Sequence, residues 1–123
     1  MAAVLKGIYL SHEVRYELKK IACTYHVTLK SLIPAVLLFI TDRLNDRYYL
    51  PGHLYNPPGP RKLKNIIIEE CIYDRLKIRS CKYNMWLNDF INVGIMAFVR
   101  NYDISSFIVN NVNMMKQTGE NRT

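Results

Sequence analysis

The chain has 123 residues, half of them hydrophobic: enough for one folded domain, too few for two independent ones, and too apolar for disorder throughout. A formal charge of +7 and a pI near 9.4 favour an anionic partner, either nucleic acid or a membrane face. Cys23, Cys71 and Cys81 are odd in number, form no CxxC and stand apart from His12, His26 and His53, so neither a disulfide framework nor a zinc site is indicated.

In chain order, positions 4–10 (VLKGIYL) read as a short strand with Ile8 and Leu10 on its buried face. Ser11 stands as an N-cap for a helix with Val14, Leu18, Ile21 and Ala22 inward and Arg15, Glu17, Lys19 and Lys20 outward. A break near Tyr25-His26 leads to a second helix, Leu29 to about Leu44, too apolar for a surface position. Pro34 lies inside this segment and suits a helix beginning near Ser31. Residues 45–60 (NDRYYLPGHLYNPPGP) hold four of the five prolines and read as a stiff, extended linker with little capacity for helix.

A second strand is expected at 62–68 (KLKNIII) with Ile66 and Ile68 inward, then a helix carrying Ile72, Leu76 and Cys81, with Glu69 and Glu70 at its positive end. A turn near Tyr83-Asn84 precedes another apolar helix, Leu87 to about Tyr102. Ser105 to Met115 reads as a short docked helix, and residues 117–123 as a frayed end. The start lacks a secretory apolar stretch, and the longest apolar run, Leu32 to Ile40, is far shorter than the ~20 residues a bilayer requires. No membrane partner is expected, and the location expected is cytoplasmic.

The two halves are one unit repeated. A shift of 58 residues without gaps superposes Leu5 on Leu63, Lys6 on Lys64, Ile8 on Ile66, Leu18-Lys19 on Leu76-Lys77, Cys23 on Cys81 and Tyr25 on Tyr83, with Leu29 on Leu87 and Ile33 on Ile91. These are nine identities over positions 5–44, where chance gives roughly two or three. The charge follows the repeat: residues 1–44 carry six basic and three acidic side chains, residues 61–102 eight and four. A lone strand leaves its ladder groups unpaired, so strand 4–10 is expected to pair with 62–68 as an antiparallel ribbon over four helices, around a pseudo-two-fold axis. The fold class is thus mainly α with a two-stranded ribbon, ordered β-α-α-linker-β-α-α. Residues 1–44 form the first repeat, 45–60 the linker, 61–102 the second repeat and 103–123 a partly frayed C-terminal segment, all within one domain.

The run Ile8-Tyr9-Leu10-Ser11-His12-Glu13-Val14, with Leu18, Ile21-Ala22, Val27-Thr28 and Ile33 through Leu37, resembles the ribbon-helix-helix (MetJ/Arc/CopG) superfamily. Two units in one chain are similar to the TraY-type relaxosome proteins of conjugative plasmids. The match covers 4–44 well and 62–102 more loosely. The resemblance implies double-stranded DNA as partner, with the ribbon in the major groove and the outward strand residues facing base edges. In register these are Leu5, Gly7 and Tyr9, then Leu63, Asn65 and Ile67. Of them Gly7, Tyr9, Asn65 and Ile67 are the implied base contacts. The chain departs here from the family's polar or basic readers: only Asn65 has the bidentate amide that suits adenine.

The resemblance further implies a phosphate held at the N-terminus of each second helix, by Thr28 and Lys30 in the first repeat and at Trp86 in the second, where Asn88 replaces the lysine. Lys6, Arg61, Lys62 and Lys64 flank the strands as further phosphate contacts. Tyr9 is either a reader or an aromatic cross-strand packer. Arg61, Lys62 and Lys64 are either a clamp or a solvated approach to the strand. Cys23 and Cys81 read as core, His12 and His26 as surface, and Trp86 as a core or hinge anchor.

No Gly-rich phosphate loop, HExxH or nucleophile elbow is present, so neither enzyme nor cofactor is expected. The function implied is transcriptional regulation, as a repressor, or accessory work in a plasmid or phage relaxosome or partition complex, with molecules associating on adjacent sites. The alternative is a protein-interaction module on the same scaffold, whose partner binds the apolar outward positions and the tyrosine-rich linker.

Overall fold

The computed structural model describes residues 2–113. Strand β1 (Ala3–Ser11) leads into helices α1 (His12–Tyr25) and α2 (Leu29–Asp42), then a 3-10 turn (Asp46–Tyr49). Strand β2 (Arg61–Glu69) leads into α3 (Glu70–Lys82) and α4 (Leu87–Asn101), and a short α5 (Ile104–Phe107) runs into a π-helical turn (Ile108–Asn113). The protein is mainly helical, with one two-stranded antiparallel sheet. The last segment docks through Phe107, Ile108 and Val112. The expected continuation to Met115 and the fraying of 117–123 lie outside the described residues.

The two strands pair along their whole length, Ala3 opposite Glu69 through Ser11 opposite Arg61, with Gly7 facing Asn65 at the centre. Alternation sends Ile8, Leu10, Ile66 and Ile68 inward, where all are buried. Beneath them lie Leu32, Ile33, Val36, Leu37 and Ile40 of α2 and Phe90, Ile91, Ile95 and Phe98 of α4, nearly closed to water. Burying each such side chain contributes about 1.5–3 kcal/mol, which makes these two helices the centre of the core.

Local chemistry sets the helix ends. The Ser11 hydroxyl accepts from the Val14 N–H at 3.2 Å, and the Thr28 hydroxyl from the Ser31 N–H at 3.1 Å. Helix α2 therefore begins at Leu29, not near Ser31, and Pro34 sits inside it. The Thr28 cap wins because it satisfies a first-turn N–H, while the proline leaves only the Lys30 carbonyl without its i+4 donor. His26 closes α1 in the left-handed region at φ 55°.

Three side chains stand elsewhere than expected. Cys23 and Cys81 are exposed. The inward stripe of α1 is Val14, Leu18 and Ile21, and Cys23, two residues on, falls on the opposite face. In α3 the buried neighbour of Leu76 is Ser80, which rotates Cys81 outward. Trp86, at the N-cap position of α4, makes no capping bond and is 82% exposed.

Residues 45–60 are not a free extended spacer. Tyr48 and Tyr49 turn into the core, and the Tyr49 ring stacks on Phe90 at 4.2 Å and on Tyr83 at 5.0 Å. Burial drives the Tyr49 phenol well above its ordinary titration range. Further on, Tyr55 donates to Glu13 Oε1 at 2.5 Å and lies under the Arg100 guanidinium, while Asn56 reaches Asp89. The aromatic residues overrode the proline and glycine signal, because burying a tyrosine ring outweighs the ordering of a short turn.

Gly94 of α4 makes room for this docking. A Cβ there would fall 2.5 Å from Tyr49 Oη and 3.0 Å from Ile40 Cγ2. Alanine would gain about 1 kcal/mol of helix propensity, but overpacking costs about 1–3 kcal/mol, because Tyr49 must leave its stack on Phe90 to clear the new methyl group. Gly94→Ala is expected to destabilise by about 1–2 kcal/mol in urea unfolding, with Tyr49 displaced; a stabilised variant would show the hydroxyl to be free to move.

Candidate nucleic-acid interface

The outer face of the ribbon carries the six outward residues of the two strands, and all are exposed. Leu5 is 67% open to water, and Tyr9, Leu63 and Ile67 are each about half exposed. At the centre, Leu63 and Asn65 lean across Gly7: a Cβ there would meet Leu63 Cδ1 at 2.7 Å and Asn65 Oδ1 at 3.4 Å. Because Leu63 is exposed and free to rotate, the fold itself does not require glycine at this point. The ridge is thus flat in the middle, apolar at both ends, and polar only at Asn65 and the Tyr9 hydroxyl.

The expected phosphate contacts divide by their present partners. Lys62 and Lys30 are exposed, and Lys64 is half-buried beside Lys62. Lys6 holds its ammonium 4.9 Å from the Tyr73 ring centroid. Arg61 is engaged: it donates to Asp89 Oδ1 at 2.6 Å and to Asn56 Oδ1 at 3.0 Å, and would have to exchange these for a phosphate. Thr28 caps α2, and its hydroxyl also lies 3.0 Å from Ser31 Oγ. Trp86 presents a bare indole where Thr28 stands in the first repeat.

The structure adds cations that strand-based reading missed. Arg15 and Lys19 of α1 line a cleft of about 260 Å³ together with Lys62 and Lys64 over an apolar floor. Arg15 Nε donates to the Leu10 carbonyl at 3.3 Å, which turns its guanidinium toward the strand. The outward charge of α1 was the available signal; which side of the ribbon it would join was not.

Two asparagines of α4 hold the edge of β1: Asn88, which the sequence reading named only as the replacement for a lysine, and Asn92, which it did not name. Asn88 Oδ1 accepts from the Tyr9 N–H at 3.0 Å, and Asn92 Oδ1 from the Ser11 N–H at 2.9 Å. Asn92 Nδ2 donates to the Tyr9 carbonyl at 2.8 Å and to the Asn88 carbonyl at 2.7 Å. Asn92 is fully buried, and its bond from the Ser11 N–H satisfies a buried strand-edge group, while the Tyr9 N–H that Asn88 accepts from is exposed. A buried amide amid apolar neighbours was the sign in the sequence.

Among the described residues no group of three or more His, Cys, Asp or Glu side chains could hold a metal ion, and no single helix is long and apolar enough to cross a membrane. No protein-family model, curated protein or solved structure matches the chain.

Proposed function

We propose that the chain is a single-chain ribbon-helix-helix protein that binds double-stranded DNA by laying the β1–β2 ridge in the major groove. It would serve as a transcriptional regulator or as a relaxosome or partition accessory of a plasmid or phage. The observation that carries this reading is a two-stranded ribbon whose outer residues Leu5, Gly7, Tyr9, Leu63, Asn65 and Ile67 are all exposed among the described residues, with Lys62, Lys64 and Lys6 at its helix-side edges. Such a ribbon has the width of the major groove.

Support for a pseudo-two-fold arrangement comes from the register. The central pair, Gly7 and Asn65, is related by the same 58-residue shift as the sequence repeat. A half-turn about that pair carries Leu5 onto the place of Leu63 and Tyr9 onto that of Ile67, their repeat equivalents. Duplex binding is the test. The logarithm of affinity should fall linearly with the logarithm of salt, and Lys62→Ala with Lys64→Ala should lower the slope by about 2 and the affinity about tenfold. Absence of duplex binding at low salt would abandon the reading. Asn65→Ala with Tyr9→Ala should erase sequence preference in a folded chain, whereas unchanged footprints would reject these two as readers.

The exposed Leu5, Leu63 and Ile67 favour a second reading, a protein-interaction surface on the same ridge. Under it duplex affinity is absent or unspecific, and replacing these three by serine abolishes partner binding.

A further inference from the structure

Resting on the DNA-binding reading, we infer that the two ends of the ridge are unequally prepared for base recognition, so the duplex site has one stringent half and one permissive half, and Asn88 and Asn92 position the stringent one. The main-chain bonds from Tyr9 and Ser11 to these asparagines show that odd-numbered residues of β1 turn their N–H and C=O groups away from β2. In an antiparallel pair the facing residues share that orientation, so Ile67 and Glu69 turn theirs to the opposite edge.

The 58-residue shift carries Tyr9 onto Ile67 and Ser11 onto Glu69, but it carries Asn88 back onto Lys30 and Asn92 back onto Pro34. Proline has no side-chain donor or acceptor for a strand edge, and a lysine has no acceptor. The same shift sets Ser31 where the other half has Asp89, and Ala3 where it has Arg61. The volume that the Arg61–Asp89 pair and Asn92 fill at one end is therefore, at the other, an open groove of about 370 Å³ lined by Ala3, Ser31, Pro34, Ile67 and Glu69 among others.

Tyr9 thus stands on backbone held by three hydrogen bonds from α4 side chains, two to its own N–H and C=O and one to the Ser11 N–H, whereas among the described residues no such bond reaches Ile67 or Glu69. Pre-organised groups keep more of their contact energy on binding, since less ordering is needed. The chemistry agrees: the fixed end has the Tyr9 hydroxyl, while the loose end offers only methyl contacts.

Two measurements on the full chain test this. In the free protein, the amides of Tyr9 and Ser11 should exchange with solvent about tenfold or more slowly than those of Ile67 and Glu69. Equal rates would overturn the inference without touching DNA binding. Second, selection of duplexes from a random pool should return an asymmetric motif, one half discriminating its preferred bases about tenfold better than the other. Asn88→Ala, which removes a single bond at an exposed place, should relax only that half; Asn92→Leu should do so more strongly if it folds. Two equal halves, or a stringent half untouched by Asn88→Ala, would overturn the inference and leave the DNA reading standing. Recovery of no duplex would remove both.

Discussion

Replacing Arg79 by alanine is expected to destabilise the fold by about 2–4 kcal/mol, or roughly 10 °C in melting temperature. Its guanidinium, on a side chain only 14% exposed, gathers the end of α2 and the start of the linker. Nη1 donates to the Ile40 and Thr41 carbonyls, and Nη2 to the Leu44 carbonyl and to Asp46 Oδ1, each at 2.6 Å. Those carbonyls are at a helix C-terminus, where no later N–H turns back to meet them. Truncation strands them beside the Tyr49 and Phe90 rings over which the guanidinium also lies. Arg79→Lys should recover less than half of the loss, because one ammonium lacks the planar fork that spans several oxygens. A loss under about 0.5 kcal/mol in chemical unfolding would show that water replaces the guanidinium freely.

Acid unfolding should show the same cluster. The Asp46 carboxyl is held at about 2, below the ordinary 3.8, first by the Tyr83 hydroxyl and next by Arg79. The Tyr83 hydroxyl is buried and makes no hydrogen bond of standard geometry among the described residues, so its influence is that of a close dipole. A carboxyl depressed in the folded state contributes stability in full above its unfolded value and loses it as pH falls through the folded one. The contribution of Asp46 should therefore fade between about pH 4 and pH 2, and in Arg79→Ala the lower edge of that window should move up.

Tyr49→Ala is expected to cost about 3 kcal/mol and to free the linker from the core. The ring is buried and stacks on Phe90 and Tyr83, so its removal leaves a cavity that these two rings cannot close without leaving their own positions. Limited proteolysis should then cut between Leu50 and Gly59 at protease levels that spare the parent chain. Gly52 and Gly59, both at positive φ, mark the turns where the released segment would bend. A chain that loses stability but keeps its linker resistant would show that Tyr55 and Asn56 suffice to hold it.

What could be read from the sequence was local. Period-two spacing placed Ile8, Leu10, Ile66 and Ile68 on the buried side of their strands, and the Ser11 hydroxyl announced the start of α1, since both depend on neighbours within a turn or two. The repeat supplied the pairing of the strands, because two half-buried strands in one short chain have few other partners. Contacts between distant elements were not legible. Arg79 reads as an ordinary outward cation of α3 until α2 ends beside it. Tyr48 and Tyr49 sit in a stretch whose prolines argue for an exposed spacer, and only the packed aromatic cluster shows which influence prevails. Cys23 and Cys81 share a position in the repeat, and that shared place suggested a core role that the helix faces do not give them. At the ridge, the six outward residues followed from alternation alone, whereas the bonds that hold Tyr9 in place cross 79 to 83 residues of chain.

The anchored linker has a consequence for assembly. With Tyr48 and Tyr49 in the core and Tyr55 against Glu13 and Arg100, β1 meets β2 at an effective concentration no second molecule can match. Exchange of strands between two molecules would first require peeling these tyrosines away. The ridge should consequently survive dilution to levels at which an assembly of two separate chains would fall apart.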